Sequence, residues 1–138
     1  MKRFLSRLRR NASGVTAIEF ALVAPVLILM VVGIAQMGAI FYGHAALRNA
    51  VSEGARYATI HPRPTAAQVI ARIQENQPDS VPGTYGTPVV TYSLNGTTGY
   101  WRANVSMRYT ATFDFAVGKF SMNFDYSRQA NVYPSATG

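Results

Sequence analysis

The chain has 138 residues, 49% hydrophobic and only 14% charged, with no cysteine. Disulfide scaffolds, thiolate metal sites and cysteine nucleophiles are therefore excluded, and there is room for one small domain. The net charge of +7 suggests nucleic acid until its distribution is read. Lys2, Arg3, Arg7, Arg9 and Arg10 crowd the first fourteen residues without an acid, while from residue 15 onward eight basic residues face six acids. A nucleic-acid surface spreads Lys and Arg over one face of a fold, so no nucleic-acid partner is expected.

Residues 1–14 read as a basic leader. Residues 15–42, VTAIEFALVAPVLILMVVGIAQMGAIFY, carry one charge, Glu19, and after it one strongly polar side chain, Gln36. A hydrocarbon core about 30 Å thick needs about 20 apolar residues of helix, and residues 20–42 supply them. Basic residues stay on the cytoplasmic side. The expectation is a single pass through the inner (cytoplasmic) membrane in contact with lipid, the N-terminus inside and the last hundred residues outside, in the periplasm or beyond.

The helical pattern continues past the membrane. Leu47, Val51, Ala55 and Ala58 recur at helical spacing, with Arg48, Ser52 and Arg56 on another side, so one long helix is predicted over residues 15–59. The sequence HPRP at 61–64 ends it, because proline cannot continue the ladder. Thr65 reads as the N-cap of a second helix reaching about residue 76, with Ala66, Val69, Ile70 and Ile73 on its apolar face. A Pro/Gly/Ser-rich linker comes next, QPDSVPGTYGTP. Three strands then show period-two alternation: residues 89–94, a turn at 95–99, a strand placing Trp101, Ala103, Val105, Met107, Tyr109, Ala111 and Phe113 on one face, and a third alternating Phe120, Met122, Phe124 and Tyr126 with polar residues. The predicted fold is α+β: a long N-terminal transmembrane helix and, over residues 60–138, an extracytoplasmic head of one short helix and a three-stranded antiparallel sheet. Both helices are candidates to cover the sheet's apolar face.

Glu19 is the costly residue. A carboxylate among apolar neighbours costs about 2.5–3.5 kcal/mol at mid-membrane and less near the interface, so it needs a partner, the headgroup region, or Arg10. Ala35, Ala39 and Gly43, four apart, form a small-residue stripe of the kind that lets helices approach in lipid, with Ala17 and Ala21 spaced likewise. Pro25 removes the bond to the Ala21 carbonyl and is expected to kink or loosen the helix. For catalysis the sequence offers little. His44 and His61 are the only histidines, and no HExxH, phosphate loop, GxSxG or carboxylate cluster accompanies them. Asp114 and Asp125 read as solvated, and the Trp101, Tyr109, Phe113 and Phe124 stripe reads as core. No enzyme activity, cofactor or metal is expected.

The block GVTAIEFALVAPVLIL resembles the TadE/TadG-like family, minor pilins or pseudopilins of the tight-adherence (Flp, type IVb) pilus. The family pattern is a small residue, a short spacer, Glu-Phe, Ala-Leu, and a proline before a Leu/Val run; ALRNAVSEGARYA is also similar to the stretch after the membrane helix in that family. The resemblance covers residues 14–58. It implies a pilin-like fold and a role in pilus assembly, adhesion and biofilm formation. It implies cleavage between Gly14 and Val15 by a prepilin peptidase, which removes the leader charges and creates an α-amine on Val15, about 6 Å along the helix from Glu19. It implies assembly roles for Glu19, Phe20 and Pro25, and as partners other pilin and pseudopilin subunits and the inner-membrane assembly platform. Two other readings stand beside it. An ordinary secretory signal could be cut after Gly33-Ile34-Ala35, or the segment is a permanent bitopic anchor carrying a periplasmic binding head.

Overall fold

The computed structural model describes residues 12–115 and 118–132. Helix α1 runs from Ala12 to Tyr57, 46 residues, without interruption at Pro25. It ends ahead of HPRP: the last regular bond runs from the Ala58 N–H to the Gly54 carbonyl at 2.9 Å, Thr59 and Ile60 make tighter turns onto the carbonyls of Arg56 and Tyr57 at 3.1 Å, and the Thr59 hydroxyl donates to the Arg56 carbonyl at 2.7 Å. Helix α2, Ala66–Glu75, starts on Thr65 as predicted. The Thr65 side chain accepts from the Gln68 N–H, and Gln68 Oε1 accepts from the Thr65 N–H at 2.9 Å, a reciprocal cap that satisfies two otherwise orphaned donors.

The strands are β1 (Gly83–Tyr85), β2 (Val89–Leu94), β3 (Trp101–Phe115) and β4 (Gly118–Val132). All pairings are antiparallel. β4 pairs with β3 along its length, from Trp101 opposite Val132 to Phe115 opposite Gly118. β2 lies against the first part of β3, Val89 opposite Ser106, and β1 against a later part, Gly83 opposite Ala111. A strand has two edges, so β1 and β2 share the one that β4 leaves free.

The expected three-stranded sheet is thus a four-stranded one. The missed strand, β1, lies inside the Pro/Gly-rich linker and is three residues long, too short to display a period. Its place depends on Gly83, whose φ is +130° and whose missing Cβ leaves room for the Thr110 carbonyl; any other residue is strained there. Flanking bonds from Thr112 N–H to the Pro82 carbonyl (3.1 Å) and from Gly86 N–H to the Arg108 carbonyl (2.8 Å) extend the pairing.

The chain divides into two compact units between Ala35 and Gln36. In the second, the head, the last part of α1 buries one stripe: Ile40, Leu47, Ala50, Val51 and Ala55, with Ala58 just past its end, join Val69 and Ile73 of α2 and Ala103, Val105, Met107, Tyr109 and Ala111 of β3 in a single core. Both helices therefore cover the sheet, on the faces the periodicity assigned to them. Each fully buried Leu, Val or Ile contributes about 1.5–3 kcal/mol. The aromatic stripe is core as expected, with Tyr109 fully buried and Trp101, Phe113 and Phe124 partly buried against the core.

The acids on the outer face are exposed but not merely solvated. Asp125 sits opposite Arg108 and receives its Nε at 2.6 Å and Nη2 at 3.1 Å. The bond holds the Asp125 carboxyl below its ordinary value. Asp114 pairs with Lys119 at 2.9 Å. Both are cross-strand partners that appear only once β3 and β4 are in register.

Two tyrosines seal the region where α1 meets β1 and β3. Tyr85 Oη donates to the Gly43 carbonyl at 3.0 Å, and Tyr109 Oη donates to the Pro82 carbonyl at 2.7 Å. Burial first, and the neighbouring Tyr109 next, push the Tyr85 hydroxyl up from 10 to about 12. A phenol raised in the folded state stabilises the fold in full below its unfolded value and loses that contribution as pH rises through the folded one. The melting temperature of the head, monitored by circular dichroism, is expected to fall between pH 10 and pH 12, and Tyr85→Phe to remove part of that fall.

Candidate processing and assembly site on the N-terminal helix

In the first unit, α1 is apolar on every side. Val15, Ile18, Phe20, Leu22, Val23, Val26, Leu27, Ile28, Leu29, Met30, Val31 and Ile34 are all more than half exposed. Water does not tolerate a continuous surface of this kind. Length and composition make α1 from Gly14 onward a candidate membrane anchor.

Gly14 and Val15 lie in the first turn of the described helix, and a Cβ built on Gly14 meets nothing within 4 Å. Among the described residues no contact therefore requires a glycine there. Glu19 is one turn beyond Val15 and exposed. Its neighbours at three and four residues are Val15, Thr16, Leu22 and Val23, so no cation lies on the adjoining turns. Phe20 is 67% exposed, on the surface with Glu19, and Pro25 comes a turn and a half later inside the continuous helix. The sequence-predicted residues thus stand together on one short length of exposed helix. Lys2, Arg3, Arg7, Arg9 and Arg10 lie outside the described residues.

The small-residue stripe divides. Ala35 is exposed, Ala39 half-buried and Gly43 buried. At Gly43 the stripe meets the protein's own sheet: a Cβ there falls 2.6 Å from the Tyr109 hydroxyl and 2.7 Å from its ring. Gly43 is where a fully buried tyrosine passes under α1, a role that helical spacing does not reveal. Gly54 has the same kind of reason, with Ile73 Cδ1 2.7 Å from its would-be Cβ.

Among the described residues no group of three or more His, Asp or Glu side chains converges as metal ligands. His44 stacks against Phe124 with ring centroids 4.8 Å apart. The surface depressions are open and shallow, lined by side chains already engaged with one another; one is bordered by Glu53, Arg56, Arg72 and Glu75, which form ion pairs at 3.1–3.7 Å.

An exposed apolar helix with one acid in its second turn and a proline beyond it is also the feature that the comparisons pick out. Residues 14–56 match the family model described as TadE-like protein. The long helix is TadE-like. The match covers just under a third of the chain, nearly all of α1 and none of the sheet. Comparison with curated proteins and with solved structures gives no match. The TadE-like segment includes both the exposed length of α1 and the stripe that the head buries, so Gly43 and Gly54 fall within it.

Gly43→Ala is expected to lower head stability by about 1–3 kcal/mol through overpacking against Tyr109. Gly38→Ala, where a Cβ meets nothing within 4 Å, is expected to be neutral or stabilising by up to about 1 kcal/mol. Urea unfolding of the two detergent-solubilised variants, monitored by near-ultraviolet circular dichroism, checks the pair.

Proposed function

We propose that this protein is a minor pilin or pseudopilin of a Tad (Flp, type IVb) pilus. In this reading the apolar part of α1 crosses the inner membrane with the basic leader in the cytoplasm and the head outside. A prepilin peptidase cuts between Gly14 and Val15, and the mature chain joins other pilin-like subunits through the assembly platform in structures that serve adhesion. Its role is structural, and none of its own side chains is assigned a bond-breaking step.

The observation that carries the reading is Glu19, exposed on an apolar TadE-like helix one turn from Val15. Cleavage removes five positive charges and leaves an α-amine about 6 Å along the helix from the carboxylate. In a bundle of such helices Glu19 pairs with its own amine or a neighbour's, and the cost of burying it falls only in registers that bring the two together. A buried pair of this kind contributes specificity more than net stability. The open space around Gly14 fits a residue whose smallness is demanded by an outside agent, here a protease that must close on the backbone.

A second reading draws on the division of the chain at Ala35 and Gln36. A secretory cut after Ala35 releases the head with its core residues intact, Ile40 onward. Mass spectrometry of the mature N-terminus separates the readings: Val15 is expected for the pilin, Gln36 for the secreted head, and retention of the basic leader for a permanent anchor. Glu19→Ala is expected to leave insertion and cleavage unchanged and to abolish recovery of the protein in sheared pilus fractions. Normal recovery of that variant overturns the assembly role.

A further inference from the structure

The apolar face of the β3–β4 hairpin is covered along most of its length and, at one end, bare on its β4 side. Opposed residues share a face: Met107 with Tyr126, Tyr109 with Phe124, Ala111 with Met122, Phe113 with Phe120. The β3 members Met107, Tyr109 and Ala111 are buried, and Phe124 and Tyr126 pack against the core. Phe113 packs against the core as well, so the cover fails on the β4 side alone. Met122 is 52% and Phe120 60% exposed, although both continue the alternation by which Phe124 and Tyr126 turn inward. Two large apolar side chains at one end of a long hairpin are not a by-product of surface scatter.

The place of that end is fixed by Gln36. Its Nε2 donates to the backbone carbonyl of Asp114 at 2.8 Å, one residue from where β3 ends. Gln36 is the first strongly polar side chain after Glu19. From Gly14 to Ala35 the exposed apolar helix is about 22 residues, or about 33 Å, long, close to the roughly 30 Å of a hydrocarbon core. When this length crosses a bilayer, Gln36 stands where acyl chains give way to headgroups, and the bare end of the hairpin stands there with it. Beside it α1 exposes Phe41 (60%) and Tyr42 (61%) while Ile40 between them and Gln36 is buried. Aromatic side chains gather at this depth because a ring is apolar in body and tolerates a wet edge.

We propose that the bare end of the β3–β4 hairpin is an interfacial membrane anchor. Phe120 and Met122, together with Phe41 and Tyr42, sit at the headgroup–acyl boundary of the bilayer that α1 crosses. The proposal rests on the reading of α1 as a membrane span and adds a second contact between protein and lipid, made by the sheet.

Depth-dependent quenching of tryptophan tests it. The full chain, with Trp101→Phe to remove the native indole, is reconstituted in phosphatidylcholine vesicles whose acyl chains carry bromine at shallow or deep positions. Single tryptophans are placed by Phe120→Trp, by Ile28→Trp in the apolar segment, and by Gln129→Trp on the exposed face of β4. The indole at 28 is expected to lose emission to deep bromines, that at 120 to lose emission to shallow ones with a blue-shifted maximum, and that at 129 to be unaffected. Met122→Trp repeats the measurement should the first variant fold poorly. Quenching at 28 without quenching at 120 and 122 overturns the anchor and leaves the span standing. No quenching at 28 overturns the span and the anchor with it. Equal quenching at 120 and 129 overturns a contact confined to the hairpin end. A maximum at 120 that ignores bromine and shifts blue with protein-to-lipid ratio assigns the patch to a second copy of the chain and overturns the lipid contact.

Discussion

Burial of one helical stripe under a sheet is the constraint on which this protein turns. From Ile40 to Ala55, α1 presents its apolar side chains at intervals of three and four, and β3 and α2 close over them. Before Gln36 the same helix has apolar side chains on all sides and no sheet to cover them. Hydrophobic burial is proportional to area removed from water and indifferent to the agent that removes it. One backbone element therefore answers to two solvents: the protein's own core over its last six turns, and something else apolar over its first six. The head's arrangement results from the first demand, and the placement of Glu19 acquires meaning from the second.

Much of the fold was legible because its signals are periodic. The boundaries of β2, the buried set Leu47, Val51, Ala55 and Ala58, and the inward face of β3 each come from a repeat of two or of about 3.6 residues that a reader can count, and the cap on Thr65 from its residue type just after the prolines. The features that escaped are aperiodic. β1 is three residues held by a glycine at positive φ, and in sequence it is indistinguishable from the linker around it. The cross-strand pairs of Asp125 with Arg108 and Asp114 with Lys119 depend on register, which alternation alone leaves open. Gly43 read as a small residue on a membrane helix because the tyrosine that needs its space lies 66 positions further along the chain.

The candidate site divides in the same way. Glu19 stood out in the sequence because a lone acid in a long apolar stretch is visible without a structure, while Gly14, Val15, Phe20 and Pro25 were singled out with it through the family resemblance. The sealing contacts were not, since Tyr85 on Gly43 and Gln36 on Asp114 join residues far apart in the chain through backbone carbonyls, and a carbonyl has no letter in a sequence. Gln36 did stand out as the first polar side chain after Glu19. Its amide, half committed to Asp114 with Oε1 buried and unpartnered among the described residues, marks the place where the helix changes surroundings.

The continuity of α1 through Tyr57 carries a mechanical consequence. A pull applied at the apolar end enters the head along the same backbone that lines its core. Ile40, Leu47, Val51 and Ala55 are then displaced sideways against β3 and α2 all at once, so the load is borne in shear by many contacts in parallel. A hairpin pulled from one end opens one rung at a time. A head whose interior includes the strut through which load arrives resists that load with its whole core.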